Sequence, residues 1–173
     1  MKRSKLTFLF IALVFAVTIV MAQEPTATLD FDHGKTATEV LQKYVTAIQN
    51  ADAEGVATLM TEDAMVYGLV GGLDSLNTAQ HKAYWVNSLD NFKHSISNDL
   101  YLPVKVENNW NEGEWLQTWG INTLTNNRTG KTIPVPYHIA SSIVGNKIST
   151  VHYYLDYANL LTKQGYKLTP HSE

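Results

Sequence analysis

An α+β domain is what this sequence predicts, on three observations. Apolar residues recur at helical spacing in three separate runs before Asn98. Beyond Asn98 the period falls to two and stays there through long segments. Gly145-Asn146 then joins the last two of those segments as a tight hairpin. Helices followed by an antiparallel sheet imply a helical layer packed on one face of that sheet.

Taken in order, the chain opens with basic Lys2, Arg3 and Lys5 and an apolar run from Leu6 to Met21, then the small-residue pattern Val20-Met21-Ala22. Residues 1–22 read as a secretory signal peptide cleaved after Ala22, the run being short for a membrane anchor. Residues 23–35, rich in Thr, Asp and Pro, read as a flexible tail. A single domain is expected over residues 36–168.

Thr36-Ala-Thr-Glu39 has the form of a capping box, and Val40, Leu41, Tyr44, Ala47 and Ile48 follow at helical spacing. Asp52 can cap a second, shorter helix carrying Val56, Leu59 and Met60. Ala64 to Gly68 suits a strand, and the glycine-rich loop from Gly68 to Asp74 suits the lip of a cleft. A third helix from Asn77 carries Tyr84, Trp85, Leu89 and Phe92 and is expected to end by Ser97-Asn98.

The strand pattern begins with Leu100, Leu102, Val104 and Val106, where Pro103 suggests an edge or a bulge. Two long strands are expected over Glu114 to Thr125 and Lys131 to Val144, and a last one after Gly145-Asn146. Asp156 should cap the terminal helix.

Composition excludes several functions. Cysteine is absent, which removes disulfides, thiolate metal sites and cysteine nucleophiles. Without the leader, 10 basic side chains face 16 acidic ones, a net charge of −6 with histidines neutral. Such a chain offers nothing to a phosphate backbone, so no nucleic-acid partner is expected. The histidines show no pair at ligand spacing and no HExxH, so neither a metal nor another cofactor is expected. No segment beyond the leader could cross a bilayer, so the mature protein is expected in the periplasm or secreted.

Two stretches carry a resemblance. KYVTAIQNADAEGVATLMTEDAMV, from Lys43 to Val66, and GNKISTVHYYLDYANLLTKQG, from Gly145 to Gly165, are similar to the beginning and end of the NTF2-like superfamily. Its SnoaL-like cyclase and ketosteroid isomerase-like branches are the best match, over nearly the whole mature chain. The resemblance implies a cystatin-like cone: three N-terminal helices on a strongly curved, mostly antiparallel sheet, with a short C-terminal helix and an apolar pocket.

A two-residue turn at Gly145-Asn146 sets Ile143 against Ile148, Ala140 against Val151 and His138 against Tyr153. Alternation alone leaves open which face turns inward. In SnoaL-like cyclases and limonene epoxide hydrolases the inward carboxylate lies three residues before the aspartate that starts the last helix, which here is Tyr153. The place of the protonated acid in ketosteroid isomerases falls on His138, and that of their oxyanion-binding tyrosine on Tyr44. The family's proton-abstracting aspartate falls on Gly68, so the carboxylate that moves the proton is missing.

The candidate catalytic residues are therefore Tyr44, His138 and Tyr153. The candidate ligand-lining residues are Tyr67, Tyr84, Trp85, Gln117, Trp119 and Val151. His152, Tyr154 and Tyr137 are expected on the convex face, where the resemblance implies a homodimer. Two functions follow from this reading. One is a cofactor-independent isomerase, cyclase or lyase acting on a small hydrophobic carbonyl compound. The other is a non-catalytic binder of such a molecule, or an interaction module whose cavity is vestigial.

Overall fold

The computed structural model describes residues 24–72 and 74–169. The expected leader and its cleavage point after Ala22 lie outside the described residues. In chain order the elements are β1 (Thr26–Thr28), α1 (Gly34–Gln49), α2 (Ala53–Thr58), β2 (Met60–Tyr67), β3 (Ser75–Asn77), α3 (Thr78–Asn91), β4 (Phe92–Glu107), β5 (Gly113–Asn126), β6 (Thr132–Val144), β7 (Lys147–Leu155) and α4 (Tyr157–Gln164). One seven-stranded sheet runs in the order β1-β4-β5-β6-β7-β2-β3. Only the β2–β7 pair is parallel, so the sheet is mixed but mostly antiparallel, as expected.

Helix α1 buries the stripe Ala37, Val40, Leu41, Tyr44, Val45, Ala47 and Ile48 against the sheet. Each large apolar side chain there is worth about 1.5–3 kcal/mol of burial. The capping box expected at Thr36 does not form. The helix starts earlier because the Gly34 amide donates to the Phe31 carbonyl at 3.0 Å. Glu39 then sits inside the helix, 4.0 Å from Lys35 one turn back. Asp52 caps α2 by accepting from the Gly55 amide at 2.7 Å. Asn77 and Gln80 form a reciprocal capping box on α3, at 2.9 and 3.0 Å.

Two further expectations are corrected. The stretch read as a flexible tail contributes β1, which pairs Thr26–Thr28 with β4. Helix α3 ends at Asn91 rather than near Ser97, because residues 92–97 ladder onto β5 from Phe92↔Asn126 to Ser97↔Ile121. Irregular pairing between Ser97 and Leu100 interrupts that ladder. Pro103 lies beyond the three residues that β1 covers, where its missing N–H breaks no pairing on that side.

Helices α1 and α3 cover one face of the sheet, and the main core lies between them and β2, β5, β6 and β7. Among the described residues no helix is long and apolar enough to cross a membrane.

Candidate functional site

The hairpin that closes the sheet decides which side chains reach the interior. Ile143 faces Ile148 as the turn predicts, but an irregularity at Ser149 shifts the register beyond it. Tyr153 therefore faces Ile139, and His138 faces Tyr154. Because side chains alternate, one extra residue sends a whole set to the other face. On β6 the inward set is Ile133, Val135, Tyr137, Ile139, Ser141 and Ile143, all buried.

Inside, an apolar cavity of about 60 Å³ is bounded by α1, α3, β4–β7, α4 and Leu69. It is several times the roughly 10–15 Å³ needed by one water on the same measure. Tyr44, Tyr84, Trp85, Tyr137 and Tyr153 are among its walls.

A buried polar cluster lies at this wall. The hydroxyls of Tyr44 and Tyr153 share a short hydrogen bond. Tyr44 Oη is 2.9 Å from His81 Nε2, and Trp85 Nε1–H points at both, 2.8 Å from His81 Nε2 and 3.1 Å from Tyr44 Oη. An indole N–H only donates, so His81 Nε2 must accept and the imidazole proton sits on Nδ1. His81 is fully buried, and burial pushes its pKa down to about 4, so the ring is neutral. Burial also raises Tyr44 and Tyr153, which remain protonated. For Tyr44 the hydrogen bonds with Tyr153 and Trp85 oppose part of that rise.

With Trp85 occupying the His81 acceptor at the shorter distance, Tyr44 is free to donate to Tyr153. An oxygen acceptor in the cavity then aligns the chain as Tyr44 to Tyr153 to ligand. Such a preset donor costs no reorganisation when charge develops on that oxygen.

A second polar cluster reaches the same cavity from β4 and β5. Asn122 Nδ2 lies 2.9 Å from His94 Nδ1, and His94 Nε2 lies 3.1 Å from Ser88 Oγ. Burial pushes His94 down to about 4. Sequence reasoning singled out none of His81, His94 and Asn122. His94 sits where a helix was expected, and His81 is one turn before Trp85 on α3, a spacing that could have marked it.

The remaining sequence candidates divide by face. Val151 is buried in the core beside Ser141 and does not line the cavity. Four others stand on the outer face, contrary to expectation. His138 stacks between Trp119 and Tyr154, with centroids 4.7 and 5.3 Å away, and bonds Gln117 Oε1 at 2.9 Å. Gln117 and Trp119 share that face with it. Tyr67 stacks on His152 at 4.9 Å, also outside. Tyr137 is corrected the other way, since it is buried in the cavity wall. His152 and Tyr154 are outside, as expected.

No family model and no curated protein matches the sequence. Solved structures do. A candidate polyketide cyclase from Xanthomonas campestris pv. campestris superposes with a TM-score of 0.64 at 14% identity, over 76% of this chain and 98% of that one. A protein from Catenulispora acidiphila with a ketosteroid isomerase-like fold, solved with trimethylamine, gives 0.60 at 12% identity, over 76% and 98%. An NTF2-like protein from Burkholderia xenovorans gives 0.57 at 15% identity, over 75% and 95%. This chain has the NTF2-like fold.

Within that NTF2-like frame, Gly68 occupies the end of β2 with φ +75°. A Cβ there would collide with the Tyr153 carbonyl oxygen. The position is filled by backbone, so no side chain projects from it.

Proposed function

We propose that this protein binds a small apolar carbonyl compound in its cone, with Tyr153 O–H donating to the carbonyl oxygen and Tyr44 supporting that donor. The observation that carries the reading is the Tyr153–Tyr44 hydrogen bond in an apolar wall, held by Trp85 and neutral His81. A carbonyl oxygen accepts and cannot donate, so it matches a phenol that stays protonated through the neutral range. The small cavity favours a compact ligand.

The same cluster supports a second reading, cofactor-independent isomerase, cyclase or lyase chemistry, because a donor aimed at a carbonyl oxygen also stabilises an enolate. The place of the protonated acid that the resemblance gives to His138 is not part of it, since that ring stacks outside. Titration with cyclohexanone followed by protein NMR separates the possibilities. Tyr153→Phe should weaken binding about tenfold, the value of one hydrogen bond in such a site. His138→Ala and His152→Ala should leave it unchanged. Equal affinity for wild type and Tyr153→Phe would remove the reading. Exchange of the ketone α-protons in D₂O, if it requires Tyr153, favours the enzyme over the binder.

We further propose export through the leader, with cleavage after Ala22, and a homodimer formed through the outer sheet face. Leu100, Trp119 and Tyr154 are exposed there beside His138, Gln117 and Ala140, a surface without acidic or lysine side chains. Aromatic, uncharged patches suit an interface. Light scattering of the mature protein is expected to give twice the chain mass, and Trp119→Lys to halve it. A monomer at high concentration counts against the dimer.

A further inference from the structure

Among the described residues, two buried polar atoms in the cavity wall have no partner: Tyr137 Oη and Asn122 Oδ1. An unmet buried donor or acceptor is costly, so natural interiors rarely keep one without a purpose. Both side chains are held firmly. Tyr137 is 6% exposed and lies across Gly120 on the neighbouring strand, its oxygen 2.7 Å from where a Gly120 Cβ would stand. Gly120 is thus the one residue type that lets this ring lie flat. The Asn122 amide is tied to His94, which is tied in turn to Ser88.

Tyr137 Oη lies over Gly120, and Asn122 stands two residues along the same inner face of β5, so both orphan atoms belong to one side of the cavity wall. A ligand hydroxyl at this wall can donate to an amide oxygen and accept from a phenol. Turning the amide over leaves its N–H₂ toward the cavity instead, and a hydroxyl, which both donates and accepts, meets that arrangement as well.

We infer that the ligand is a hydroxy-carbonyl compound: Asn122 and Tyr137 form a second polar subsite that takes a hydroxyl, with His94 positioning Asn122. This deepens the proposal that Tyr153 binds a carbonyl, and rests on it. The two ends of the molecule would then be read by different walls, with apolar contact from Ile96, Val135 and Ile139 between them.

The test compares 4-hydroxycyclohexanone with 4-methylcyclohexanone by NMR titration of the full mature protein. Wild type should prefer the hydroxy compound about tenfold or more, since a methyl leaves both orphans unmet. Tyr137→Phe removes one atom from a well-packed ring, and it should abolish that preference without weakening the methyl compound. Asn122→Leu should do the same, and Tyr153→Phe should weaken both compounds in proportion. Equal binding of the two ketones by wild type, still sensitive to Tyr153→Phe, overturns this inference, assigns the orphans to water, and leaves the carbonyl site standing. A hydroxyl preference that needs Tyr137 while Tyr153→Phe changes nothing keeps the subsite and removes the carbonyl reading. If neither ketone binds, both fall.

Discussion

Between pH 6.5 and 4 the protein is expected to lose about 6 kcal/mol of stability through His81 and His94 alone. Each ring is buried, and each is pushed by burial from the ordinary histidine value to about 4. A depressed folded-state pKa means that the unfolded chain binds the proton first. Stability is therefore complete above the unfolded value of about 6.5 and drains away as pH falls through the folded value. At pH 4, where each folded ring is half protonated and the unfolded one almost wholly so, the loss comes to about 3 kcal/mol for each ring. Domains of this size have about 5–15 kcal/mol in total, so the loss brings the fold close to its limit.

The physical reason is that burial takes both rings out of the water a charged imidazole needs. His81 Nε2 faces the Trp85 N–H, so protonating it would set two donors against each other. His94 is held neutral by burial, which its hydrogen bond with Asn122 offsets only in part. Urea midpoints at pH 7.5, 6.0 and 4.5 should fall steeply over the lower interval, and His94→Gln should remove about half of the slope. His81 and His94 imidazole resonances that titrate near 6.5 in the folded protein would contradict this directly. This readout needs no variant to fold.

The helices and strands were legible because their causes are local. Asp52 and Asp156 cap what they were expected to cap, and the apolar stripe of α1 is plain from Val40 to Ile48. The facing of the last hairpin was not, because it turns on one irregular residue. Ser149 is a small polar residue with no mark that sets it apart, yet it moves His138 from the pocket to the outer stack. Tyr153 came through because its inward direction was taken from its distance to Asp156, on the near side of the irregularity. Ile133, Val135, Ile139 and Ile143 did carry an inward signal at period two. It was diluted by Ser141 and by Tyr137, whose burial depends on a glycine in another strand. The two histidines of the interior were invisible for a related reason: pairing with Trp85 and Asn122 is a property of tertiary contact, not of spacing.

Gly68→Asp is expected to unfold the site rather than restore the base that the resemblance places there. Two costs act together. An aspartate at φ +75° is held in the left-handed region, worth about 1–2 kcal/mol. Its Cβ also runs into the Tyr153 carbonyl, which is backbone and cannot step aside without moving β7. The sum is about 3 kcal/mol or more, a fall in melting temperature of roughly 10 °C. Gly71→Asp is the matched control, since Gly71 also has positive φ but nothing within 4 Å of its Cβ position; it should lose only the conformational part. Because the obstructing carbonyl belongs to the residue whose hydroxyl meets Tyr44, the damage should reach the pocket, and cyclohexanone binding should weaken in Gly68→Asp but not in Gly71→Asp. Near-native stability for Gly68→Asp, with new exchange of ketone α-protons, would mean that β7 yields easily and that the missing carboxylate is a matter of one substitution.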